Sequence, residues 1–241
     1  SQPSLSDIHT GIYLLNFFPY ADGPGLIGHL REQGGWDAVE AAFDDPPESA
    51  EQVIYPDKYT EPRDSPATVS LNDTATDGWT RVRPASPVGG IDRADYGRLG
   101  QSGLSAMFAY TVLDGTNDAL LPPRSVTSPD PSDPLNYDFA VTDGWAGDRL
   151  RVYENADAGT NETAYVWRLR WDSATHAREF ADGYRELLAY NDGTRVDGRE
   201  TVWTIPRNDT FGDAFRVTRN DDTVTVVNAP TVEELSAVHG S

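Results

Sequence analysis

The stretch from Gly34 to Tyr59 constrains the fold more than any other, because glycines and prolines cut it into helices of set length. Gly34 and Gly35 end one helical pattern, and Trp36, Val39, Glu40 and Phe43 begin another at three- and four-residue spacing. Pro46 and Pro47 stop that second helix. Ser49, with Gln52 three positions on, has the capping-box spacing in which a hydroxyl and a side-chain amide satisfy two backbone N–H groups at a helix start. Pro56 closes this third turn almost at once. Short helices so punctuated hold side chains in position, but their residue types alone name no reaction.

Around this element the chain is strongly acidic. Its 241 residues carry 39 Asp and Glu against 19 Lys and Arg, a net charge of −20, and Lys58 is the only lysine. In dilute buffer such self-repulsion opposes compactness. In molar salt the screening length falls to about 3 Å, so the repulsion nearly vanishes while hydrated carboxylates keep the chain soluble. The composition therefore reads as that of an extreme halophile's protein. Leu, Ile, Val and Phe make up only about a fifth of the residues, near the border of disorder for a highly charged chain. The six Trp and eleven Tyr oppose disorder, since aromatic rings bury large areas. Nucleic acid is excluded as a partner, because neutralising phosphates needs clustered Lys and Arg.

The chain has no cysteine, which removes disulfides and thiolate metal sites. No apolar run is long enough to span a bilayer, and neither an initiator Met nor a signal peptide precedes Ser1. These features suit a processed or trimmed product, or the later part of a precursor.

Taken in order, Ile8 to Phe18 is an apolar helical stretch ended by Pro19, and Asp22-Gly23-Pro24 open a second helix with the stripe Leu26, Ile27 and Leu30. Beyond the Gly34–Tyr59 element, residues 60 to 95 are loop-rich, with short strands expected at Thr68–Leu71 and Trp79–Arg83. Tyr96 to Leu113 is helical, with Gly100 and Gly103 inside. Residues 114 to 137 form a Pro-Asp-Ser loop, and Gly144-Trp145-Ala146-Gly147-Asp148-Arg149 reads as a turn. Strands follow at Leu150–Tyr153 and Ala164–Trp171. A helix capped by Asp172 and Ser173 runs to Asn191-Asp192-Gly193, and further strands occupy Thr201–Ile205, Ala214–Thr218 and Thr223–Val227. Thr231 to Val238 is a short terminal helix. The expected fold class is α+β: a mainly helical N-terminal half, residues 1–143, against an antiparallel sheet with one long helix over 144–241.

No catalytic motif stands out. His9, His29, His176 and His239 lie at no paired spacing that would set two imidazoles on one helical face for zinc, so no metal ligand is assigned. Asp44-Asp45, Asp221-Asp222 and the Asp130 to Asp133 loop read as solvated acidic faces. There is no nucleophile elbow and no phosphate-binding glycine loop. Asn72-Asp-Thr, Asn161-Glu-Thr and Asn208-Asp-Thr are N-glycosylation sequons.

The order Gly34-Gly35-Trp36, Pro46-Pro47, Ser49, Glu51-Gln52-Val53 and Tyr55-Pro56-Asp57-Lys58-Tyr59 resembles a signature of secreted zinc-metallopeptidase-like proteins and their halophilic archaeal surface-protein relatives. Phe18-Pro19-Tyr20, Leu99-Gly100, Gly144–Arg149, Trp171-Asp172-Ser173 and Ala177-Arg178-Glu179-Phe180 continue it. Two departures matter: Tyr55 stands where the family has histidine, and the H-E-x-x-H helix that lies upstream in relatives is absent from these residues. The resemblance implies that Tyr55 occupies the place of an oxyanion donor, with Glu51 beside it on the same short helix. The alternative is that Tyr55 packs on Trp36 and bonds locally. Trp145, Asp148 and Arg149 are structural or ligand-contacting residues of their turn, Arg149 being expected to clamp the two halves together.

These readings give an extracellular or cell-surface glycoprotein portion with no cofactor of its own and no independent peptidase activity. Zinc would belong to an upstream segment of the precursor. That segment, or other surface proteins, are the expected partners. The alternatives are the substrate cleft of an active zinc metallopeptidase, or a surface-layer or filament-associated module.

Overall fold

The computed structural model describes residues 9–60, 62–84, 94–115, 117–128, 134–155, 162–207 and 211–240. The fold is α+β, with helices mostly in the N-terminal part and a seven-stranded antiparallel sheet in the C-terminal part. The chain divides into two compact units, but not by one cut near residue 143. The residues up to Pro66 join Gly100–Trp145 in a helical unit, while Ala67–Leu99 joins Ala146–Ser241 in the sheet unit.

In the helical unit, α1 (Thr10–Ala21) starts where the His9 Nδ1 accepts the Gly11 N–H at 3.2 Å. Pro19 was expected to end this helix but lies inside its last turn. There a proline forfeits only one backbone bond, and Asp22 N closes the helix on Phe18 O at 3.0 Å. Leu14, Phe18 and Ala21 are its buried face. The second element, α2 (Gly23–Asp44), has Pro24 in its first turn and is broken at Gly34 and Gly35. Gly35 has φ +68°, a backbone state that glycine enters without a Cβ clash, so two helices run here as the Gly-Gly pair foretells. Leu26, Leu30 and Val39 are buried along α2.

Two single turns follow, α3 (Glu51–Ile54) and α4 (Pro56–Tyr59), with Pro56 opening the latter. Helix α5 (Gly100–Asp114) is the centre of the unit, burying Leu104, Ala106, Phe108 and Ala109. It begins at Gly100, not Tyr96, because Gly97 pairs with Leu150 through reciprocal backbone bonds of 2.8 and 2.9 Å. Within the expected loop at 114–137, α6 (Pro123–Val126) forms a turn that buries Val126 against Leu14, Ala106, Ala109 and Phe139.

In the sheet unit, the strands are β1 (Trp79–Arg81), β2 (Trp145–Asn155), β3 (Glu162–Trp171), β4 (Thr194–Arg195), β5 (Val202–Thr204), β6 (Ala214–Asn220) and β7 (Thr223–Ala229), in spatial order β1-β2-β3-β7-β6-β5-β4. The expected turn at Gly144–Arg149 is corrected: Gly144, at φ +70°, makes the bend, and the strand begins immediately at Trp145. Thr68–Leu71 forms no ladder. Val69 and Leu71 are nonetheless buried, and the carbonyls of Ser70 and Leu71 accept from Arg168 and Arg151. The two-residue strand β4 carries too little pattern to be foreseen.

Helix α7 (Ala174–Tyr190) is capped as its sequence implies, Ser173 Oγ accepting His176 N at 3.2 Å, and it packs on β3, β6 and β7. Odd residues of β3 face it: Trp167 and Trp171 pack on Phe180, and Tyr165 meets Tyr184. Even residues face the other way, where Ala164 and Val166 join Leu235 and Val238 of α8 (Leu235–Val238). The sheet is therefore buried on both faces, which accounts for the apolar run in β7.

Candidate functional site

The residues singled out by the 49–59 motif converge in the helical unit. Ser49 Oγ accepts Gln52 N at 3.3 Å, as a capping residue does, but the Gln52 amide reaches one residue further back than in a capping box. Its Oε1 accepts Glu48 N at 2.7 Å and its Nε2 donates to Asp64 O at 2.7 Å. Gln52 is fully buried, so these bonds tie the α3 start to the segment that follows α4. Glu51 is 3% exposed, and Lys58, seven residues on, reaches it with Nζ 2.5 Å from Oε1 and 3.2 Å from Asp64 Oδ2. A charge removed from water in this way requires an opposite charge at contact distance.

Tyr55 lies between α3 and α4, at backbone φ −118° and ψ 85°. Its hydroxyl donates to Asp138 Oδ1 at 2.6 Å and accepts from the fully buried Gln101 Nε2 at 3.2 Å. Burial, then the Asp138 bond and charge, pushes the phenol well above the ordinary tyrosine range. The expected packing of Tyr55 on Trp36 is not what holds it: Trp36 is 62% exposed, with the Arg31 guanidinium 5.0 Å over its ring. Asp138, Gln101 and Asp64 were not among the residues singled out from sequence. They have no motif, and Asp138 is 83 residues from its partner.

The Gly144–Arg149 residues serve β2. Asp148 is buried and its Oδ2 accepts from Leu99 N at 2.9 Å and Trp167 Nε1 at 3.0 Å. Arg149 stacks its guanidinium 4.1 Å over the Tyr96 ring, a cation–π contact inside the sheet unit. Trp145 is buried. Gly147 allows the close approach of the preceding segment: a Cβ there would lie 2.6 Å from Ala67 O, and Ala67 N bonds Ala146 O at 2.7 Å.

Histidines enter no metal-competent group among the described residues. His9 caps α1 and stacks on Tyr110, His29 bonds Gln33, and His239 meets Thr74 Oγ1 at 2.9 Å. Asn72 is exposed and outside regular structure, whereas Asn161 and Asn208 lie outside the described residues. No described helix is long and apolar enough to cross a membrane.

Residues 86–239 match the model of a family described as a domain of unknown function, DUF8575. The chain belongs to the DUF8575 family. No curated protein and no solved structure matches it. The DUF8575 match takes in Gln101, Asp138 and all of β2 to β7, and it begins after Glu51, Tyr55 and Lys58. Half of the Tyr55 network is thus family sequence and half precedes it.

Proposed function

We propose that this chain is a non-catalytic structural or binding portion of an exported, salt-adapted surface protein. The observation that carries this reading is the engagement of both candidate catalytic groups. The Tyr55 hydroxyl donates its hydrogen bond to Asp138, and Glu51 is paired with Lys58, so each candidate group would have to leave a partner to act. The net charge of −20 with a single lysine supports the halophilic setting, and the resemblance of residues 34–59 supports export to the cell surface. Its partners, in this reading, are the upstream segment of its own precursor or other surface proteins, and the exposed Asn72 is a sequon open to glycan.

The deciding experiment is a peptide-hydrolysis assay in molar salt, with and without zinc, on the native chain and on Tyr55→Phe. No hydrolysis by either protein is expected. Zinc-dependent turnover by the native chain that Tyr55→Phe abolishes, at a temperature where circular dichroism shows both proteins folded, would overturn the reading.

A further inference from the structure

Lys58 is the single lysine among 19 basic side chains, so it is the chain's one side-chain amine. Its Nζ sits between two carboxylates, 2.5 Å from Glu51 Oε1 and 3.2 Å from Asp64 Oδ2. The three side chains run from dry to wet: Glu51 is 4% exposed, Lys58 27% and Asp64 45%. The backbone of Asp64 is held on both sides. Its N–H donates to Lys58 O at 2.8 Å, and its carbonyl accepts from Gln52 Nε2 at 2.7 Å. A guanidinium stays protonated and is no nucleophile, whereas a lysine amine becomes one as soon as it gives up a proton. At this one position the chain has the base that can react.

We propose that the folded chain condenses Lys58 with Asp64 into an amide cross-link, with Glu51 as the proton carrier. The ion pair is the reactant state. Keeping separated charges in the dry Glu51 pocket is costly, so a proton crosses the 2.5 Å contact from Nζ to Oε1 and leaves a neutral amine. The amine lone pair attacks Asp64 Cγ and the Nζ–Cγ bond forms. Glu51 passes the protons taken from Nζ to the departing Asp64 oxygen, the Cγ–O bond breaks, and water leaves on the exposed side. One ammonium and one carboxylate thus become one amide and one water, Glu51 ends as it began, and no oxidant or co-reactant is consumed. Condensation is unfavourable between free groups in water, but two groups held about 3.2 Å apart react with an effective molarity of about 10⁵ M or more. The product is a covalent staple in a chain that has no cysteine for a disulfide. It ties α4 to the segment after it and so fixes the α3–α4 turns that carry Tyr55.

Intact mass and a lysine-specific endoproteinase test this on chain folded in molar KCl and then denatured. The native chain should be lighter than its sequence by one water and should resist the proteinase, which would otherwise cut it once, after Lys58. Lys58→Arg and Asp64→Ala should both have their full sequence masses, and Asp64→Ala should be cut after Lys58. Asp64→Asn should lose one ammonia instead of one water, because its leaving group is the amide nitrogen. Glu51→Gln, with circular dichroism showing it folded, should keep its full mass and be cut. A native chain of full sequence mass that is cut after Lys58 would overturn the proposal. So would a chain one water lighter that is still cut, since the water would then have come from an aspartate cyclised on its own backbone. Loss of water from Glu51→Gln as complete as in the native chain would overturn the proton-carrying role.

Discussion

The Lys58 Nζ lies 2.5 Å from Glu51 Oε1, and that carboxylate is almost wholly withdrawn from water. A chain that uses arginine for every other base keeps its single lysine here. A compact ammonium on a flexible stem bridges Glu51 and Asp64 across one short turn, where a planar guanidinium would need a wider fork. Lys58→Met should therefore destabilise the helical unit by about 3 kcal/mol, since it leaves a buried carboxylate without its cation. The double variant Glu51→Gln with Lys58→Met should recover most of the loss. Denaturant melts in molar salt read both, and equal stability of Lys58→Met and the native chain would contradict the role given to the pair.

Five tyrosines are held protonated by the fold. Burial raises Tyr153, Tyr137 and Tyr55, with Asp138 adding to the last; it pushes Tyr184 up to about 12 and Tyr165 well above its ordinary value. The unfolded phenols lose their protons near pH 10, so above that pH the native state binds more protons than the unfolded state. Stability is thus fully present below pH 10 and falls as pH rises beyond it, by up to about 1.4 kcal/mol per pH unit for each fully buried ring. Tyrosinate absorbance should show part of the eleven tyrosines titrating normally and the rest only with unfolding. Tyr55→Phe should cost about 2 kcal/mol at neutral pH, because Gln101 and Asp138 both lose its hydroxyl. A smooth titration of all tyrosines in a chain that stays folded would refute this.

Gly147 is under steric pressure from outside its own strand. With Ala67 O only 2.6 Å from the site of a Cβ, any side chain at 147 must displace the 67–71 segment or bend β2. Gly147→Ala should cost about 1–3 kcal/mol, the range for overpacking a filled site. Hydrogen exchange should quicken at Ala67 N, whose bond to Ala146 O is the nearest casualty. Unchanged exchange at Ala67 would mean that the contact yields freely.

Local punctuation was legible in the sequence because glycine, proline and capping residues act on the backbone next to them. Gly35, Pro56, Ser173 and Asp192 all bend or cap where their chemistry requires. Alternation gave β3, and short apolar runs flanked by turn residues gave β6 and β7, and the α+β class with them. What the sequence hid were effects that depend on distant chain. Pro19 is tolerated in α1 because Asp22 completes the turn after it, and Gly144 starts a strand, not a loop, because β2 has β1 and β3 to pair with. The candidate site divides the same way. Glu51 and Tyr55 share a motif and were found together, whereas Asp138 and Gln101 reach Tyr55 from segments with no spacing to advertise them.

Salt should stabilise the folded chain. Along the second half of α2, Asp37, Glu40 and Asp44 are exposed at three- and four-residue spacing, so each carboxylate faces another across one turn. Such pairs repel by a few tenths of a kcal/mol each, and the excess of 20 negative charges multiplies the effect over the surface. Raising ionic strength from 0.15 M to 1 M shortens the screening length from about 8 Å to about 3 Å, below the distance between neighbouring carboxylates on a helix. The thermal midpoint should accordingly rise by roughly 10 °C over that interval, the shift that about 3 kcal/mol produces in a chain of this size. KCl and NaCl should act alike in this range, since screening depends on ion charge and concentration. Sulfate salts should keep raising the midpoint beyond it, by strengthening apolar burial. A midpoint that is flat from 0.15 M to 1 M KCl would show that repulsion is balanced within the fold, and the halophilic reading of the composition would fall with it.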